Sequence, residues 1–393
     1  MEDKETEISF ASILRNSMYL NRDVLFAMRP PTGFVHRIKQ KNELIMELSP
    51  ILTKSAVSGI FVYGNPGTGK TALVQELADQ LEKEAKKEGI ALKTVYVNCS
   101  ENRTETSILI SVLSALNKKK NIPKLGWTRS KAIDEFEKEV EKYEHALLIL
   151  DEVDYALKES DDILYRLSRI NDKVKARVST VIISNDIRVQ EYIKPRTQSK
   201  FGRIKIVFGP YQADELKDII KQRTKLALKP NVISDAVIQK IAEIESERGG
   251  DARHALELVD NCAKIAVARK KEKITLDLVQ EADRNLEEND VLNRVISLPK
   301  HQKIVYLAIL KNKDITIDSG QVYKNYKEIC AAANIESLTE RRVRTLLINL
   351  SEMGLISTEV GWLKSLKKKT RKITLNLDKA LKMKVEKLLK KSI

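Results

Sequence analysis

Lys70 and Thr71 close the run Gly64-Asn65-Pro66-Gly67-Thr68-Gly69-Lys70-Thr71, and eighty residues further on Asp151 and Glu152 follow a wholly apolar stretch. An ammonium and a hydroxyl beside clustered glycines suit a polyphosphate. The glycines let successive backbone N–H groups turn inward onto phosphate oxygens. Lys70 would reach the β- and γ-phosphates, and the Thr71 hydroxyl would hold Mg²⁺. Paired carboxylates suit the other half of phosphoryl chemistry: Asp151 would order the water shell of the metal, and Glu152 would polarise an attacking water as general base. Asn185 would hydrogen-bond that water or the γ-phosphate, or it simply makes the turn after a strand. Arg253 would reach the γ-phosphate from another element, or it is a surface arginine. Arg196 would act in trans on the phosphate of a neighbouring subunit.

Such groups work only if the chain brings them together. Gly59–Tyr63 reads as a buried strand, and Ala72–Leu81 repeats its apolar residues with helical period, so the glycine loop lies between strand and helix, the context its pattern requires. Leu92–Cys99, Ala146–Leu150, Ser179–Asn185 and Lys205–Phe208 read as further strands, with helices at Thr106–Leu116 and Ser130–Tyr143 between them. In an open α/β sheet ligands sit beyond the carboxyl ends of the strands, which is where Asp151, Glu152 and Asn185 fall. An irregular arm, with Asn21-Arg22-Asp23-Val24-Leu25 and Arg29-Pro30-Pro31, precedes a helix over Val35–Leu52. Val35, His36 and Arg37 are candidates for the adenine end of the pocket, or they belong to an ordinary surface helix.

From Pro210 the pattern is helical only, over Ala213–Leu228, Ser234–Glu247, Ala252–Arg269 and Leu276–Leu286; Gly249-Gly250-Asp251-Ala252-Arg253 opens the third of these. Residues 295–378 add the helices Pro299–Leu310, Gly320–Ala332 and Thr339–Met353, then the strands Gly354–Val360 and Arg371–Leu375. Ser337-Leu338-Thr339-Glu340 is expected to form a capping box at the start of the last helix. Helices followed by a hairpin spell a winged helix-turn-helix. Its helix would carry Thr339, Arg341, Arg342, Arg344 and Thr345 into the major groove, and Lys364, Lys367, Lys368 and Lys369 on the wing would meet phosphate. Trp362 would contact sugar or anchor the wing.

With 393 residues the chain calls for two or three domains. Its charge of +15 is lopsided: residues 297–393 hold 21 Lys and Arg against 9 Asp and Glu, leaving the rest nearly neutral. That tail suits a polyanion, although a helix-turn-helix can also dock protein. Cys99, Cys262 and Cys330 are too scattered for a metal or disulfide pattern. No long uncharged apolar run is present and Met1-Glu2-Asp3-Lys4-Glu5 does not read as a signal peptide, so a cytoplasmic, nucleoid-associated protein without a membrane partner is expected.

Together these motifs resemble the archaeal replication-initiator branch of the AAA+ ATPases, the origin recognition complex and cell division control protein six family, over nearly the whole chain. Gly64–Thr71 resembles Walker A, Asp151-Glu152 Walker B, Asn185 sensor 1 and Gly250-Asp251-Ala252-Arg253 sensor 2. Pro195-Arg196 is similar to the segment bearing the family's finger, with Lys194 where an acid is usual. The resemblance implies an α/β AAA+ P-loop domain with a parallel sheet (1–209), an all-α lid domain (210–294) and a C-terminal winged-helix domain (295–393). It places Tyr211 against adenine and Arg223 near the nucleotide. It makes Lys118, Lys119 and Lys120, in the basic turn after Leu116, a second DNA contact. Leu298-Pro299-Lys300-His301 and Leu338–Val343 resemble its winged-helix landmarks; the lysine-rich wing departs from the usual Gly-Arg-Gly tip and implies weaker base discrimination. The function implied is an ATP-regulated initiator that binds duplex origin DNA and helps recruit or load the replicative helicase. ATP or ADP and Mg²⁺ would be its cofactors, further initiator subunits its partners, and slow hydrolysis its switch. A P-loop winged-helix transcriptional regulator or signalling switch would use the same parts. A clamp-loader-like subunit would carry an oligomerisation collar in place of the basic winged helix.

Overall fold

The computed structural model describes the chain apart from residues 1–15, 58, 118–121, 124–125, 200, 202–203, 313–315, 364–367, 376 and 393. Two compact units divide it, one through Val279 and the other from Gln280 to Ile393.

The first unit is built on a five-stranded parallel sheet of β1 (Ile60–Gly64), β2 (Leu92–Asn98), β3 (His145–Asp151), β4 (Arg177–Ser184) and β5 (Ile204–Phe208), in the order β2-β3-β4-β1-β5. The strands alternate as a pleat demands. Phe61, Leu148, Leu150 and Ile182 enter one core with the helices α3 (Glu105–Leu116) and α4 (Arg129–Val140). Ile60, Val62, Leu147, Ile149 and Ile183 enter the other, with α1 (Ile38–Leu48) and α2 (Lys70–Lys87). Because both faces are covered, β3 is buried at every position, which is why it carries no alternation in its sequence. The order sets the carboxyl ends of β1, β4 and β3 side by side, so the glycine loop, Asn185 and Asp151 share one rim.

Helices α5 (Ala213–Ala227), α6 (Asp235–Arg248) and α7 (Ala252–Ala268) follow. Each starts where its sequence offers a cap: Ser234 accepts from Val237 N–H, and Asp251 from the N–H groups of Arg253 and His254. Helix α8 (Leu276–Ser297) is longer than its apolar spacing predicted and carries the chain into the second unit.

That unit contains α9 (Lys300–Leu310), β6 (Thr316–Asp318), α10 (Ser319–Ala332), α11 (Glu340–Glu352), β7 (Ile356–Leu363), β8 (Lys368–Leu375) and α12 (Lys379–Ser392), with an antiparallel sheet ordered β6-β8-β7. Its core joins Ile304, Tyr326, Leu347 and Ile373. Two elements were not foreseen: the short β6 and the basic α12, whose Leu381, Val385 and Leu389 form a buried stripe. One expectation is corrected. No capping box forms at α11: Thr339 is the N-cap and no side chain caps it, because Glu340 pairs with Arg344 at 2.7 Å instead. The three cysteines are free and buried.

Candidate functional site: a phosphate loop under a helical lid, and a winged helix

Gly69, at φ 91°, ends the loop and starts α2 without a side-chain cap, so the first N–H groups of that helix face the loop. The Lys70 ammonium folds back to donate to the carbonyls of Gly64 (2.8 Å) and Asn65 (2.7 Å). Burial pulls its pKa down to about 8; Asp151 opposes that shift and nearby Arg253 adds to it. Thr71 Oγ1 donates to Asp151 Oδ2 at 2.7 Å. The same oxygen accepts from Tyr96 Oη at 2.9 Å, and Oδ1 accepts from Glu152 N–H at 2.9 Å. Burial raises the Asp151 pKa against the bonds from Thr71 and Tyr96.

Glu152 holds φ 52°, a conformation that costs a non-glycine residue about 1–2 kcal/mol. Two bonds keep it there, its own N–H to Asp151 and the Val153 N–H to Ile183 O at 3.1 Å. Asn185 is tied to the same rim by buried Asp154, whose Oδ1 accepts from Ser184 Oγ (3.0 Å) and Asn185 N–H (3.3 Å). The structure therefore brings Lys70, Thr71, Asp151, Glu152 and Asn185 together. Tyr96 and Asp154 were missed by sequence reasoning: the register pairing Asn98 with Asp151 brings β2 alongside the carboxylate, and no local pattern reports a register.

The lid meets the loop directly. Ala252 N–H donates to Gly67 O at 3.3 Å, and exposed Arg253 follows in the first turn of α7. Between loop and lid lies a cavity of about 430 Å³, a size suited to a small molecule. Its walls include Gly67 and Gly69 from the loop, Val35 and His36 before α1, Tyr211, Arg223 and Arg253 from the lid, and Phe26 and Met28 from the arm. Phe26 and Met28 were not anticipated as wall residues.

Two arginines make contacts that were not anticipated. Arg37, at φ 75°, does not line the cavity. Its guanidinium donates to Thr68 O (3.2 Å) and Gly209 O (2.6 Å) and stacks beneath the Tyr211 ring, 3.8 Å from the centroid. Arg223 does line the cavity, yet its guanidinium serves the arm, donating to the carbonyls of Val24 and Ala27, both at 2.9 Å. The arm is fastened further by Leu20 N–H to Ala227 O (2.8 Å), by Arg22 bidentate on Asp260 (2.7 and 2.8 Å), and by Arg29 on Asp79 of α2. Burial works to raise the Asp260 pKa, but hydrogen bonds from Arg22, Lys264 and Tyr19 hold it below the usual carboxylate range.

Arg196 is exposed on the short turn Pro195–Gln198 and covers the Tyr165 ring at 4.5 Å, away from the cavity walls. Lys194 beside it pairs with buried Asp161 at 3.2 Å. In the second unit Thr339, Arg341, Arg342, Arg344 and Thr345 are all exposed on and before α11, opposite buried Val343, Leu347 and Leu350. Lys368 and Trp362 stand on paired strands, with Trp362 opposite Lys369 in the ladder. Lys118, Lys119, Lys120, Lys364 and Lys367 lie outside the described residues, as do the side chains of Trp362, Lys368 and Lys369. Among the described residues no helix is long and apolar enough to cross a membrane.

Three family models match the chain in succession: an AAA domain over residues 55–189, the Cdc6 AAA+ ATPase-type lid domain over 217–284, and the CDC6 C-terminal winged helix domain over 293–385. ORC1-type DNA replication protein 1 of Archaeoglobus fulgidus is 35% identical over 356 residues, 89% of this chain and 87% of that protein. The protein of the same name from Sulfolobus acidocaldarius is 35% identical over 355 residues, covering 89% and 88%. Among solved structures, the Aeropyrum pernix ORC1 protein in complex with DNA matches with a TM-score of 0.83 and 29% identity, covering 94% of this chain and 97% of that one.

Proposed function

Because the chain belongs to the archaeal ORC1-type family of replication initiators, AAA+ ATPases with a Cdc6-type lid and winged helix, we propose that it is an ATP-regulated initiator that binds duplex origin DNA and helps recruit or load the replicative helicase. One observation carries the regulatory half of this reading: the lid helix α7 starts on the phosphate loop itself, at the bond from Ala252 N–H to Gly67 O. A change in the loop's occupancy is therefore a change in what the lid rests on.

In this reading the base of ATP or ADP lies between the arm and Tyr211, and the phosphates meet the amides that start α2. Lys70 exchanges its two carbonyl partners for phosphate oxygens. Mg²⁺ fits the donor set. Thr71 and Asp151 oxygens converge, and they would hold the ion with phosphate and water completing its shell. When bound, the ion neutralises phosphate charge. Glu152, fixed by its backbone beside Asp151, takes the proton of the attacking water, and Asn185 orients that water. Arg253 senses the γ-phosphate from the lid. Arg196, exposed and borne on an aromatic ring, serves a second initiator subunit. Hydrolysis acts as a slow switch.

On the DNA side, Arg341, Arg342 and Arg344 are exposed on the helix α11 of the helix-turn-helix, and the lysines of the wing sequence add phosphate contacts in this reading. One similar protein of known structure, the Aeropyrum pernix ORC1 protein, was solved in complex with DNA, and α11 here presents exposed arginines on the same kind of domain. The test is a footprint on origin duplex with ATP, with ADP and without nucleotide. A footprint indifferent to nucleotide would remove the regulatory claim, and no protection at low salt would remove the DNA claim.

A further inference from the structure

The start of α11 is held in an unusual way. A helix entering a DNA groove is normally fixed by its N-cap, but Thr339 caps nothing and Glu340 is paired elsewhere. The residue before the cap is gripped through its backbone instead. Leu338 N–H donates to Tyr326 Oη at 3.1 Å, and Leu338 O accepts from Tyr323 Oη at 3.4 Å. The two rings stack, with centroids 6.3 Å apart and planes 17° from parallel. Tyr326 is completely buried in the core of the unit. Its oxygen also meets His301 Nδ1 at 2.8 Å, at the start of α9. Which of the two atoms donates depends on the His301 tautomer, since the phenol oxygen can accept a second hydrogen bond beside that from Leu338. Three helices are thereby joined at one phenol: α9 through His301, α10 through Tyr326 and α11 through Leu338.

We propose that Tyr326, with Tyr323 and His301, is the positioning device for α11, setting the angle at which Arg341 and Arg342 meet base edges. This rests on the reading that the winged helix binds duplex DNA. Base-edge recognition requires donors and acceptors within hydrogen-bond geometry, whereas phosphate contacts by long cationic side chains tolerate displacement. Loosening the clamp should therefore lower sequence discrimination and leave backbone affinity nearly intact. Removing the Tyr326 hydroxyl would also leave the Leu338 N–H without its partner, which favours a shifted helix start.

The experiment uses the full chain and two probes: the duplex that wild-type protein enriches most from a randomised library, and a poly(dI-dC) duplex. Tyr326→Phe should reduce the affinity ratio between them by about tenfold, the scale of one misaligned base contact, while the salt slope on poly(dI-dC) stays unchanged. His301→Ala should behave alike. His301→Asn, which restores a hydrogen-bonding group near the Nδ1 position, should recover the ratio. An unchanged ratio in Tyr326→Phe overturns the proposal, and so does an equal loss on both probes, which is the signature of mere destabilisation. If wild-type protein itself enriches no duplex, the DNA reading fails and this inference with it.

Discussion

The Asp251 carboxylate occupies the space that a side chain on Gly67 would need: a Cβ built there would lie 1.7 Å from Asp251 Oδ1. Gly67 also holds φ 67°, so its missing side chain answers two demands, the turn of the phosphate loop and the seat of the lid.

Gly67→Ala should accordingly do more than weaken phosphate binding. The lid is expected to lift from the loop, seen as faster hydrogen exchange at the amides of Ala252–Leu256. The left-handed backbone alone costs about 1–2 kcal/mol. Unchanged exchange would show that the lid does not depend on this glycine.

Lys70→Ala is expected to abolish measurable ATP and ADP binding while duplex DNA affinity stays within a few-fold of wild type. Isothermal titration for nucleotide and fluorescence anisotropy for DNA separate the two effects. Joint loss of both would mean the units do not divide the labour in this way.

Glu152→Gln should retain ATP and lower its hydrolysis about a hundredfold or more, the range for removal of a general base. Single-turnover kinetics give the chemical step directly. Hydrolysis at the wild-type rate would remove Glu152 from the role of base.

Arg22→Ala removes the bidentate partner of Asp260. Because Arg22 is itself half exposed, the expected loss of stability is only about 1 kcal/mol. The larger effect should be kinetic, a several-fold faster release of a fluorescent ADP analogue in stopped flow. The same release rate in both proteins would show that the arm does not retain the nucleotide.

His145 gives a pH dependence. It is buried, with Nε2 on Ser179 Oγ at 2.8 Å, and burial lowers its pKa to about 4 from an ordinary 6.5. A folded-state pKa below the unfolded one means that stability is fully present above pH 6.5 and is lost as pH falls from there toward 4. The loss attributable to this group is at most about 3 kcal/mol. Urea melts at pH 7.5, 5.5 and 4.5 should show it, and His145→Gln should flatten it.

The sheet and its rim were legible because their signals are local. Apolar runs such as Ala146–Leu150 end in the very residues that chemistry needs, and a glycine loop between strand and helix admits few other readings. Legibility failed where an answer depends on a distant partner. The residue types of Ser337 and Glu340 fit a capping box, but Glu340 has a better partner in Arg344, and the turn is held by tyrosines from α10. Arg37 was expected at the adenine end from its place after the arm and Arg223 near the nucleotide from the family resemblance, and neither signal shows that each guanidinium is engaged by backbone carbonyls of segments far away in sequence. The stripe Leu381, Val385, Leu389 was in plain view with helical spacing, hidden by the lysines that surround it.

The arm from Tyr19 to Arg29 has a last consequence. It is buckled to the lid at Asp260 and to the phosphate-loop helix at Asp79, and its stretch Leu25–Met28 walls the cavity. Opening either buckle should loosen the arm and speed the escape of a guest beneath it. If nucleotide binds there as proposed, slow exchange beneath the arm would make the protein's state record history more than the momentary nucleotide supply.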